Sequence, residues 1–389
     1  MRLMLLLFPA AAQVLSLTNP IGIYIHIPFC RKKCNYCSFY SIKVNDCLIQ
    51  KYCDKIIAEL TQRGRQIARP VCSVYIGGGT PSVLTGGQIS SIIAAVKNNF
   101  TLLPDAEITV EVNPADDLEL FLKEIKNAGC NRLSIGVQSA SDKELSVLGR
   151  RHNTVQSEKV FNLARKIGFD NISLDLIIGL PDSDLELLNN SIDFVLRLNP
   201  EHISSYILKI ERGTPFFNTP LNLPDDDAVA EQYLLLCKRL KTVGYEHYEI
   251  SNFAKKDFRG EHNLNYWKCR EYLGFGPSAH SFFEGERFYY RDDISAYIEN
   301  SEPITDGKGG NEQEYIMLGL RTADGISNTQ FKSLFSKALP TKIYDLALLY
   351  QKNSLCITDG DKIALTDQGM LVSNSIITSF IEELPNENL

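Results

Sequence analysis

No stretch of the 389-residue chain gathers Lys and Arg into a basic block, and the formal net charge is -7. A nucleic-acid footprint depends on clustered cations, so that partner class is excluded. Nor does the sequence hold a second C-x-x-C or an H-x-H group to complete CRKKCNYC, residues 30 to 37, as a closed four-ligand zinc site. The apolar N-terminal MRLMLLLFPAAAQ is too short to span a bilayer. Low-complexity segments are missing, as is any repeat beyond an alternation of strand and helix.

What remains is ordinary globular composition, 44% hydrophobic and 22% charged, in a chain long enough for one large domain and a smaller one. Seven of the ten cysteines (Cys47, Cys53, Cys72, Cys130, Cys237, Cys269 and Cys356) are scattered, which suits a reducing compartment, here the cytoplasm. The N-terminal run has two readings, a weak secretory signal or an apolar leader over residues 1–20 that runs into the first strand. The second agrees with an oxygen-sensitive centre assembled inside the cell.

Between residues 22 and 210 one unit recurs: a β-branched run, a turn, then helical spacing of apolar residues. Strands are expected at 22–27, 74–76, 107–112, 132–137, 172–178 and 202–208. Leu48, Ile49, Tyr52, Ile56 and Leu60 mark one helix face, and Gly129, Gly168 and Gly244 stand where left-handed helix ends are wanted. This alternation implies a parallel sheet with right-handed crossovers, curled toward an incomplete (β/α)6 barrel over 21–244. Residues 245–310 form an aromatic-rich connector of no sustained period, opening with a strand at 245–251. From 311 to 389 come helices at 312–321, 329–338 and 344–352, a hairpin turning at Asp359-Gly360 and a last helix, a winged-helix-like α+β arrangement.

Ligands in parallel α/β folds sit at the carboxyl ends of strands. The cysteine loop follows the first strand and GGGTPS the second; Glu111 ends the third, Gln138 ends the fourth, and Asp175 lies within the fifth. Each alone has a bland reading as a turn, a solvated carboxylate or a cap. Together they deliver polar chemistry to one mouth. Three thiolates without a fourth ligand suit a [4Fe–4S] cluster that leaves one iron open.

YIHIPFCRKKCNYCSFYS with GGGTPS, EVNP, SIGVQS and HNLNYW, from about Gly22 to the C-terminus, resembles a radical S-adenosylmethionine protein. More narrowly it resembles the heme chaperone branch of the oxygen-independent coproporphyrinogen III oxidase family. That resemblance implies that Cys30, Cys34 and Cys37 hold the cluster and that S-adenosylmethionine chelates the open iron, yielding a 5'-deoxyadenosyl radical on reduction. It implies Tyr36 against the adenine, Tyr24 near the cluster, and Gly77, Gly78, Gly79 and Thr80 around the methionine. Glu111, Gln138, Arg150 and Asp175 complete the polar wall, although Arg150 in LGRRH also reads as a surface cation.

The oxidase pattern carries a further cysteine where this chain has Phe39, and its N-terminal substrate-covering arm has no counterpart before residue 22. Both departures weigh against decarboxylation of coproporphyrinogen. HNLNYW implies heme contact, with His262 as axial ligand and Tyr266 and Trp267 as flat apolar surface. Composition alone reads it as a turn with the single Trp buried at an interface. The implied partners are heme, an apo-hemoprotein recipient and a small electron donor such as flavodoxin or ferredoxin, with peripheral membrane contact carried by no motif. Three classes stay open: a heme-transfer protein, a porphyrinogen-oxidising enzyme, and a radical enzyme acting on something else.

Overall fold

A computed structural model describes residues 19–114 and 118–385, so all but the end of the expected N-terminal leader lies outside the described residues. Six parallel strands form its centre: β1 (Ile21–Ile27), β2 (Pro70–Gly78), β3 (Thr101–Val112), β4 (Arg132–Gln138), β5 (Ile172–Ile178) and β6 (His202–Ile207). They pair in sequence order, and helices cross between them: α1 (Asp46–Gly64), α2 (Gly86–Asn99), α3 (Glu119–Ala128), α4 (Asp142–Val147) with α5 (Thr154–Ile167), and α6 (Leu185–Leu198). α7 (Asp226–Thr242) follows β6. All six expected strands are present, and the one anticipated at 74–76 extends over nine residues.

Local chemistry fixes the helix ends. Asn45 caps α1 by accepting from the Leu48 N–H at 3.1 Å. Thr85 with Gln88 and Asn153 with Gln156 form reciprocal capping boxes on α2 and α5. Gly129 and Gly168 end α3 and α5 at φ 103° and 99°, where an added Cβ would strain the backbone.

The strands are two-faced. Ile23 and Ile25 of β1, Val74 and Ile76 of β2, Val110 of β3 and Leu133 and Ile135 of β4 pack with Ile56, Leu60, Ile92, Ile93 and Ile125 from the helices into one buried core. Each such side chain contributes roughly 1.5–3 kcal/mol by leaving water. The alternate positions are polar: Ser73 and Tyr75, Glu107 and Glu111, Arg132 and Ser134, Ser173 and Asp175, His202 and Ser204. They bond one another across neighbouring strands, as where the Ser134 hydroxyl donates to Asp175 and Ser173 pairs with His202 at 2.8 Å. This polar face is the inside of the curl.

Residues 246–308 extend both sides of the same sheet. β7 (Glu246–Glu249) and β8 (Asn252–Ala254) add antiparallel beyond β6. α8 (Glu261–Trp267) intervenes, then β9 (Tyr272–Phe275) pairs parallel with β1, followed by β10 (His280–Phe283), β11 (Glu286–Tyr289) and β12 (Ile304–Lys308). Strands of three to five residues are too short to display a period, so this segment read as irregular. Among the described residues nothing pairs β7 with β12, and the sheet stays open.

Beyond it, helices Glu312–Gly319, Asn328–Phe335 and Thr341–Lys352 pack with a three-stranded sheet of Ile326–Ser327, Lys362–Leu365 and Cys356–Thr358. The expected hairpin turns at Asp359–Gly360, with Gly360 at φ 95°. This is the winged-helix-like arrangement, joined to the main sheet where Ile250 N–H donates to Arg321 and Ala323 N–H to Tyr248.

Candidate metal and cofactor site

CRKKCNYC leaves β1 through Pro28 and is clasped at its root. Phe29–Cys30 pairs with Ile42–Lys43, and the Gly79 and Thr80 N–H groups donate to the carbonyls of Ile27 and Phe29 at 2.8 Å. Farther along, Asn35 N–H donates to the Leu148 carbonyl and its side chain to that of Val147 at 2.8 Å. The loop is therefore fixed at both ends while Cys30, Cys34 and Cys37 stay partly exposed with free thiols.

All three thiols open into one cavity of about 410 Å³ at the carboxyl ends of β2 to β6. Tyr36, Gly78, Gly79, Thr80, Glu111, Gln138, Arg150 and Asp175 also line it. No fourth cysteine and no histidine is among its lining residues. Gly77 lies just below, where a Cβ would come within 2.7 Å of a Glu111 oxygen; one on Gly79 would come within 2.7 Å of the Ile27 carbonyl. Side chains at these positions would close the space that the glycines leave.

The polar groups are held at defined points. Thr80 Oγ1 lies 3.4 Å from Cys30 Sγ and accepts from Asn113. The guanidinium of Arg150 turns inward rather than to solvent: it donates to the Gly136 carbonyl at 2.8 Å, to Asn113, and to Cys34 Sγ at 3.6 Å, and its buried Nε has no partner. Gln138 ends β4 at φ 70°, a conformation a non-glycine residue adopts only where the surroundings enforce it. Burial pushes the Glu111 carboxyl up to about 7 against the opposing pull of the Tyr75 hydroxyl. Asp175 is raised for the same reason, despite the serine hydroxyls around it.

The remaining expected residues stand apart from this cavity. Tyr24 is on the inner face of β1 and pairs with His26 at 2.9 Å. His262, Tyr266 and Trp267 lie on α8, which covers the amino ends of the central strands. His262 is 2% exposed, with Nδ1 at 2.9 Å from Ser73 Oγ and Nε2 at 2.7 Å from the Tyr266 hydroxyl. Burial, and then the charge of Arg132, push its imidazole down to about 3, so it is neutral. Both nitrogens are engaged, and no iron could reach either without moving the helix. The Trp267 indole N–H is buried and faces the buried Glu249 carboxyl.

Sequence reasoning passed over Tyr75, Asn113, Ser134 and Tyr206. The signal was the two-residue alternation of SVYIGG, EVN and HISSYI, which puts a polar group on the inner face at every second position. A separate Cys237–His247–Asp367 group has its ligand atoms within 4.8 Å of one another. Lys241 Nζ, at 2.6 Å, and His247 Nδ1, at 2.8 Å, already bond the Asp367 carboxylate, and this cluster ties the C-terminal helices to α7 and β7.

Three thiols on a loop after the first strand of a curled parallel sheet, facing glycines and strand-tip carboxylates, define the class of radical S-adenosylmethionine proteins. Residues 24–195 match the Radical SAM superfamily profile, and residues 313–372 match that of the HemN C-terminal domain. The chain is 35% identical over 381 residues to the heme chaperone HemW of Bacillus subtilis, covering 93% of this chain and 99% of that one. To HemW of Haemophilus influenzae it is 34% identical, covering 94% and 98%. The fold is like that of the Escherichia coli coproporphyrinogen III oxidase HemN, with a TM-score of 0.79 at 23% identity over 97% of this chain and 94% of that one. The chain belongs to the HemW family.

Proposed function

We propose that the chain is a heme chaperone: it holds a [4Fe–4S] cluster on Cys30, Cys34 and Cys37, binds S-adenosylmethionine beside it, and carries heme to apo-hemoproteins. The observation that carries the cluster assignment is the donor set, three partly exposed thiols on one clasped loop with no fourth cysteine or histidine in the cavity they share. The glycine cradle and the unpartnered Arg150 Nε fit an amino-acid ligand with a carboxylate. Bound there, the cluster and its ligand would supply one-electron cleavage of a carbon–sulfur bond.

The chain's own residues would do the rest. Glu111 accepts from an ammonium or a ribose hydroxyl, Gly78 and Gly79 offer backbone without side-chain obstruction, and Tyr36, Gln138 and Asp175 close the wall. Arg31, Lys32 and Lys33, exposed on the cysteine loop, suit an acidic electron donor such as flavodoxin or ferredoxin. The heme and recipient assignments rest on the relatives' names. Phe39, 66% exposed where the oxidase pattern has cysteine, sets the chain apart from porphyrinogen oxidation. A cytoplasmic setting follows from the oxygen sensitivity of such a cluster; among the described residues no helix is long and apolar enough to cross a membrane.

Anaerobic reconstitution followed by heme titration tests the proposal. A Soret band that saturates with heme, and is lost on addition of an apo-hemoprotein, supports it. Zinc in place of iron and sulfide, or no heme-dependent absorbance, overturns it.

A further inference from the structure

The HNLNYW helix sits at the opposite end of the sheet from the cysteines, yet a chain of contacts joins the two. The His262 ring stacks on Tyr75, centroids 5.1 Å apart and planes inclined by 25°. Tyr75 in turn packs against Tyr24 on its other neighbour strand. Its hydroxyl donates to Glu111 Oε1 at 2.8 Å, and the Gly78 N–H donates to Oε2 at 3.1 Å. Those two donors fix the plane of the Glu111 carboxylate at the floor of the cavity. One of the two is set by where the Tyr75 ring rests.

His262 is itself fixed from three sides. Ser73 and Tyr266 hold its nitrogens. The N–H groups of Glu261 and His262 donate to the Glu107 carboxylate at 3.2 and 3.3 Å, anchoring the start of α8 to β3. Freeing an imidazole nitrogen for iron would break one of these buried hydrogen bonds and draw the ring out from beneath Tyr75.

We propose that His262 is a positioning residue for the S-adenosylmethionine cradle: its ring supports Tyr75, and through Tyr75 it sets the Glu111 carboxylate. This rests on the assignment of S-adenosylmethionine to the Glu111 cavity and departs from the expectation that His262 ligates heme. Weakened heme binding in a His262 variant would then report a disturbed cradle, not a lost iron ligand.

Three variants of the anaerobically reconstituted protein separate the two roles. His262→Ala removes the ring, His262→Phe keeps a flat ring that cannot bind iron, and Tyr75→Phe keeps the stack but loses the hydroxyl on Glu111. The affinity for S-adenosylmethionine is read by equilibrium dialysis and heme binding by Soret titration. Expected is a loss of about tenfold in S-adenosylmethionine affinity for His262→Ala and for Tyr75→Phe, the size of one hydrogen bond to a charged acceptor. His262→Phe should restore most of that affinity and leave the wild-type Soret position unchanged.

The proposal is overturned if Tyr75→Phe binds S-adenosylmethionine like wild type, which needs no refolding argument because the ring is retained. It is also overturned if His262→Phe abolishes the heme spectrum while its S-adenosylmethionine affinity stays intact, since that identifies an iron ligand. Absence of heme binding in the wild type would defeat the chaperone reading alone, and the dialysis comparison would still decide the role of His262.

Discussion

The two ends of the central strands are built from the same pattern and put to different use. At the carboxyl ends, Glu111, Asp175, Gln138 and Arg150 face a cavity shared with three thiols. At the amino ends, Ser73, Glu107 and His202 face α8 and β7, and each has a protein partner: His262, the α8 N–H groups, and the Tyr248 hydroxyl at 2.8 Å. Polarity inside the curl is therefore no sign of a site. The site lies where the inner polar groups also face an open cavity.

Breaking the mouth should abolish the cofactor and leave the fold. Cys34→Ala is expected to lose bound iron and sulfide almost completely in metal analysis, with the circular dichroism spectrum unchanged, because the thiol is outside the apolar core. Damage to the plug should appear as stability instead. His262 has a folded value of about 3 against about 6.5 for an ordinary histidine, so between them the unfolded chain binds a proton that the native chain refuses. Its stabilising contribution is whole above pH 6.5 and declines below, by about 2 kcal/mol at pH 5. Denaturation of the wild type at pH 7 and pH 5 should show that loss relative to His262→Phe. Glu111 and Glu249, both raised to about 7, act with the opposite sign, losing stability as pH rises toward 7, and the subtraction cancels them.

A smaller stability effect is expected for Asn265→Ala. The side chain is wholly buried and donates to Ser73 Oγ at 3.1 Å and Cys72 Sγ at 3.2 Å, so its removal should cost about 1.5 kcal/mol in urea titration. The smallest effect is a pH profile at the mouth. Affinity for S-adenosylmethionine should rise about tenfold from pH 6 to pH 8 as Glu111 ionises, and stay flat in Glu111→Gln. A flat wild-type profile would mean that Glu111 does not meet the ammonium.

The mouth was legible in the sequence and the plug was not. Cys30, Cys34 and Cys37 lie within eight residues on one loop, and GGG, Glu111 and Gln138 each end a strand whose β-branched run is plain. Local pattern is enough for those. α8 is seven residues long, below the span over which a helical period shows. Its place depends on β9 pairing with β1, about 250 residues away in the chain, and on β8 pairing with β6. His262 was visible as a residue type, but only these non-local pairings bury it under Tyr75. Tyr75 itself was hidden because, between Val74 and Ile76, it read as one more strand former.

Among the described residues the sheet is open and β12 is an outer strand, and its composition has a consequence for the molecule in solution. ITDGK offers unpaired backbone on one side, yet Asp306 and Lys308 are exposed and Gly307 bends away at φ 93°. Charge and a kink discourage a second copy from zipping on by strand addition. Were Asp306 and Lys308 replaced by valine, the rim would become a template, and strand-by-strand aggregation would compete with the native fold.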